Sequence, residues 1–145
     1  MKPAPENITA PLAKNEVFVF GSNLAGVHGA GAAYTALKLF GAVRGQGIGL
    51  MGQSYGIATK DEQIKQLPLA RIQYQVRRFL AYAALRPDLT FLVTPIGCGL
   101  AGYKVEDVAS LFFEYDIPGN VLLPKSFITW KSLSSASCSP AASSS

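Results

Sequence analysis

At 145 residues, with 49% hydrophobic and 15% charged residues and a formal net charge of +4, the chain has the size and composition of one globular domain. This composition excludes a disordered chain, and so small and scattered a charge excludes the block of like charges that marks a nucleic-acid-binding tail. Two cysteines, Cys98 and Cys138, with a single histidine, His28, make neither a disulfide framework nor a structural zinc set.

In chain order, residues 1–14 hold three prolines and little apolar pattern, which predicts an irregular, mobile arm. They also lack the apolar run of a signal peptide, and no stretch of about 18 apolar residues follows. A cytoplasmic protein with no membrane contact is the expectation, in monomeric form. Val17-Phe18-Val19-Phe20 reads as a short buried strand, and a glycine-rich stretch at 21–31 follows it. Ala33, Ala36, Leu37 and Phe40 then fall on one face of a helix. A second glycine-rich run, 45–53, leads into a short strand at 54–59. Leu69, Ile72, Val76, Phe79, Leu80 and Ala83 form the apolar stripe of a helix over 69–85, with Arg71, Arg77 and Arg78 on its solvated side.

Residues 90–95 predict a buried strand and 96–103 a third glycine-rich loop. Val105, Val108, Ala109 and Phe112 mark a third helical face, with Glu106 and Asp107 suited to the positive end of its dipole. Residues 120–124 predict the last strand. The stretch 132–145 is Ser, Ala and Pro, and its composition predicts a disordered tail. Strands separated by helix-length segments imply crossover connections. The expected fold is a three-layer α/β/α domain over 15–131, with a mixed, largely parallel central sheet.

Ligands of such folds collect at the C-terminal ends of the strands, where two of the glycine loops are expected. In the first, Gly29, Ala30 and Gly31 open a helix, so that free amides and the helix N-terminus face any anion above them. A tight strand-to-helix turn accounts for the same glycines equally well. In the second, Ile96, Gly97, Cys98, Gly99 and Leu100 repeat the arrangement. No Walker-type phosphate loop is present. The one Gly-x-Gly-x-x-Gly, at 97–102, lacks the acidic residue of a dinucleotide fold, which disfavours an ATPase or a dehydrogenase.

Ser22 and Asn23, at the end of the first strand, are candidates to touch a ribose or phosphate, or else form a turn. His28 is a candidate hydrogen-bond partner of the same groups. Cys98, without a base partner, reads as a structural thiol. Tyr103 either closes over a bound sugar or packs on the following helix. Lys60, beside Thr59, is a candidate active-site amine or a solvated turn charge. Asp61 is a candidate carboxylate or a helix cap.

Three segments, His28-Gly29-Ala30-Gly31 leading to Phe40-Gly41, Tyr55-Gly56-Ile57-Ala58-Thr59-Lys60, and Pro95-Ile96-Gly97-Cys98-Gly99, resemble in order and spacing those of the macro domain superfamily. The resemblance runs from about Val17 to Val121 and is strongest to the terminal ADP-ribose glycohydrolases and DNA ADP-ribosyl glycohydrolase antitoxins. It implies a macro-like fold that binds ADP-ribose or a related nucleotide, with Lys60 as the catalytic residue and no cofactor or metal. The aspartate of the protein-directed enzymes is replaced here by Ala101, and Ala101-Gly102 is similar to the antitoxin type. The resemblance thus implies ADP-ribosylated nucleic acid or a small nucleotide as substrate. The alternatives are a reader that holds the nucleotide without cleaving it and a purely structural interaction protein.

Overall fold

The structure is a computed structural model that describes residues 1–8 and 10–144, the side chains of 136–144 excepted. Its elements are β1 (Glu16–Asn23), α1 (Gly31–Leu39), β2 (Gly49–Met51), β3 (Ser54–Lys60), α2 (Leu69–Ala84), β4 (Thr90–Val93), α3 (Val105–Phe113), β5 (Val121–Leu122) and α4 (Lys125–Ser144). The sheet runs β2-β3-β1-β4-β5. Every pairing is parallel except β2 with β3. This is the expected three-layer α/β/α arrangement with a mixed, largely parallel sheet.

Alternation along β1 builds both layers. Val17 and Val19 point into one core with α2, α3 and α4, whereas Phe18 and Phe20 point into the other with Ala33, Ala36 and Phe40 at α1. A strand buried on both faces reads as a continuous apolar run, which is why Val17-Phe18-Val19-Phe20 stood out. In the larger core, Tyr55, Phe79 and Phe91 meet with ring centroids 5.0–6.4 Å apart. At the start of α3 the Lys104 amide donates to the Asp107 carboxylate at 3.1 Å, so the first-turn acid does cap the helix.

β3 outruns its antiparallel partner, which covers only residues 54–56. Beyond that point the outer edge at Ala58 is met by Gln75 of α2. The Gln75 side chain accepts from the Ala58 amide at 2.7 Å and donates to the Ala58 carbonyl at 2.8 Å, all buried. One amide side chain thus replaces a missing strand. Gln75→Leu leaves two buried backbone groups unpartnered and is expected to destabilise the fold by about 2–4 kcal/mol. Chemical denaturation of the two proteins checks this. A change below the error of the measurement would refute the role given to Gln75.

Three expectations need correction. The N-terminal arm is irregular but held: Ala4 is buried and its amide donates to the Leu123 carbonyl at 2.8 Å. The strand β2 lies inside what read only as a glycine-rich run. Gly52, at φ 57°, opens the two-residue turn to β3, and a hairpin turn of this kind needs positive φ there. Lastly, the tail expected from Ser132 begins within α4. Phe127 anchors the start of that helix, buried with its ring 5.7 Å from Phe112. The side chains of 136–145 lie outside the described residues.

Candidate functional site

β1 and β4 end side by side, and the two loops that follow them, with the end of β3, enclose a cleft of about 480 Å³. Of the residues singled out in the sequence, Ser22, Asn23, Gly29, Ala30, Gly31, Thr59, Lys60, Ile96, Gly97, Cys98, Gly99 and Leu100 line it. The structure therefore brings the three segments of the sequence pattern to one place. Its location, outside the carboxyl ends of parallel strands, is where an open α/β sheet leaves room for a ligand.

The first loop delivers backbone donors. Ala30 begins α1 without any side-chain cap, and no acidic residue occupies the first turn. By helix geometry the amides of Gly31, Ala32 and Ala33 have no intrahelical acceptor, and all three residues line the cleft. Gly31 needs its left-handed backbone, φ 60°. Across the cleft, Leu100 stands 3.5 Å from where a Gly31 Cβ would sit, so the two loops nearly touch. The second loop is pinned internally: the Tyr103 amide donates to the Gly97 carbonyl at 2.8 Å and the Gly102 amide to that of Gly99 at 3.0 Å. Two rigid glycine loops with unclaimed amides suit an anion with two linked phosphates.

Three of the lining side chains are engaged within the fold, Asn23 in the turn that was its alternative reading. Asn23 lines the cleft, yet its amide is used within the first loop, donating to the Val27 carbonyl at 2.7 Å and accepting from its amide at 2.9 Å. The Ser22 hydroxyl is committed to the Gly47 carbonyl. Thr59 donates to the Ser22 carbonyl at 3.3 Å. All three line the cleft as structural parts that shape it.

His28 does not line the cleft. It is 2% exposed, and its Nε2 donates to the carbonyls of Val43 and Gln46 at 2.8 and 3.0 Å. Both partners are acceptors, so the proton is on Nε2, and the buried Nδ1 has no partner. The imidazole ties the first glycine loop to the segment before β2. Tyr103 also lies outside the lining. Its hydroxyl donates to the Leu67 carbonyl and its ring supports the underside of Gly97, so it buttresses the second loop.

The second glycine run proves to be a brace. A Cβ on Gly47 would sit 2.0 Å from the Asn23 carbonyl oxygen, and one on Gly26 would sit 2.4 Å from the Gln46 amide nitrogen. These glycines allow the 43–49 segment to press against the end of β1 and hold the first loop from behind. Sequence spacing alone did not separate bracing glycines from lining ones.

Lys60, partly buried, is the one cationic side chain among the residues that line the cleft, and no carboxylate or imidazole joins it there. Asp61 turns away, its Oδ1 accepting from the amides of Gln63 and Lys65 at 2.9 and 3.0 Å. It caps a turn, where a helix cap or a catalytic carboxylate was considered. Burial, with the Asp107 carboxylate adding to it, pushes the Cys98 thiol up to about 11, so at neutral pH it is protonated and a poor nucleophile. Among the described residues no group of His, Cys, Asp and Glu is placed to hold a metal ion, and no helix is long and apolar enough to cross a membrane. Arg71, Arg77 and Arg78 are exposed on α2, as a solvated face should be.

Sequence reasoning missed two lining residues of note. Val27, 57% exposed, and Ile64, 44% exposed, add apolar surface to the mouth of the cleft. No protein-family model matches this chain, and neither does any curated protein or solved structure.

Proposed function

We propose that the cleft binds ADP-ribose or a closely related nucleotide through its diphosphate, and that Lys60 acts on the ADP-ribosyl linkage. The observation that supports this reading is the convergence of the Gly29–Gly31 loop, the Gly97–Leu100 loop and the Thr59-Lys60 strand end on one cleft. Three segments far apart in sequence supply amides without acceptors and one cation, with no acidic side chain to repel an anion. Titration calorimetry with ADP-ribose tests the proposal. Saturable binding at micromolar to low millimolar concentration is expected, and no heat at about 5 mM ligand would overturn it.

A specific observation favours a second reading, in which the nucleotide is held and not cleaved. Hydrolysis needs a group to activate or position water, and the lining contains no Asp, Glu or His. ADP-ribosyl substrate recovered intact after long incubation assigns this role. Steady product release assigns the hydrolase.

A further inference from the structure

Ile64 has the one positive φ among the described non-glycine residues, 62°. A β-branched residue is the least suited to that conformation, because its Cγ atoms crowd the backbone. The strain is maintained by a closed turn: the Ile64 amide donates to the Asp61 carbonyl at 3.1 Å, and the Asp61 amide to the Lys65 carbonyl at 2.7 Å. Gln66 then anchors the turn to the opposite wall, its side chain donating to the Ala101 carbonyl at 2.8 Å. Strain of this kind persists where surrounding structure overdetermines it, and it concentrates at ligand-contacting positions. Here its effect is to place an exposed aliphatic side chain on the cleft wall beside Lys60, with Leu100, 69% exposed, also in the lining.

We propose that Ile64 is a specificity-determining residue. Its side chain packs on a ring attached to the far phosphate of the ligand, so that the site selects a diphosphate ending in a sugar over one ending in a bare phosphate. This rests on the proposed function. The chemistry separates the two ligand classes. A terminal phosphate next to Ile64 would lose water against an aliphatic surface, whereas the C–H face of a furanose gains by the same contact. Lys60 at the strand end reaches a sugar hydroxyl or ring oxygen from the neighbouring position.

Calorimetry of the wild-type chain, Ile64→Gly and Ile64→Asn with ADP-ribose and with ADP tests this. Glycine and asparagine both accept the left-handed backbone, so both variants fold, and Ile64→Gly melts at the wild-type temperature or above it. The wild type is expected to prefer ADP-ribose to ADP by about tenfold or more, and both variants to lose that preference while keeping ADP affinity within about threefold. Unchanged ADP-ribose affinity in Ile64→Gly overturns the role of Ile64. Equal wild-type affinity for the two ligands overturns the selectivity and leaves the diphosphate site standing. No wild-type binding of either ligand overturns the underlying function, and this inference with it.

Discussion

Gly99→Trp is expected to abolish nucleotide binding, with affinity falling at least ~100-fold, while the protein keeps its fold and thermal stability. Gly99 is exposed in the second loop, has an ordinary backbone conformation, and a Cβ built on it meets no atom within 4 Å. Nothing in the fold therefore requires glycine there. A large side chain at this point takes up room in a cleft of about 480 Å³ and holds a phosphate away from the loop amides. Gly29, with only Val27 Cγ1 at 3.9 Å, has the same freedom, and Gly29→Trp is expected to behave alike. Gly47 is the control. A Cβ there would lie 2.0 Å from a backbone oxygen, so Gly47→Ala forces the chain to move and lowers stability rather than affinity alone. Melting curves and ADP-ribose titrations of the three variants separate these effects. Wild-type affinity in Gly99→Trp would show that the ligand does not sit on this loop.

That contrast also marks what the sequence made legible. Buried strands and amphipathic helices were readable because hydrophobic periodicity reports burial directly: α2 spans Leu69–Ala84 where a helix over 69–85 was expected. The lining glycines at 29, 31, 97 and 99 were readable because each pair follows a strand and precedes a helix. Gly26 and Gly47 were not assigned their roles, since a close approach between segments twenty residues apart leaves no periodic trace. His28 was misplaced for a similar reason. A histidine inside a phosphate-type loop suggests a ligand contact, but the imidazole turns inward to the carbonyls of Val43 and Gln46, a direction set by tertiary packing. Ile64 sits in a polar turn with no feature that announces a left-handed backbone. β2 and α4 were missed for want of length and periodicity, although Gly52-Gln53 between Met51 and Ser54 is a hairpin signal in hindsight.

Lys60→Ala is expected to lower turnover of an ADP-ribosyl substrate by at least ~100-fold while leaving ADP-ribose affinity within about tenfold. The two effects separate because on the proposed reading backbone amides hold the diphosphate, which the substitution does not touch, whereas the amine is the one ionisable side chain lining the cleft besides the protonated Cys98. Lys60 forms no ion pair among the described residues, where Arg86–Asp88 is the only one, so its amine is not already committed to a carboxylate. Lys60→Arg divides the two ways the amine could act. Arginine keeps the charge but is not a nucleophile, so a variant as slow as Lys60→Ala points to attack of the amine on the anomeric carbon, and partial activity points to electrostatic support of the leaving group. If the resemblance that sets Ala101 at the aspartate position of the protein-directed enzymes holds, ADP-ribosyl-thymidine is expected to be cleaved faster than ADP-ribosyl-glutamate. The reverse order would overturn that substrate choice, and undiminished turnover by Lys60→Ala would remove Lys60 from the mechanism.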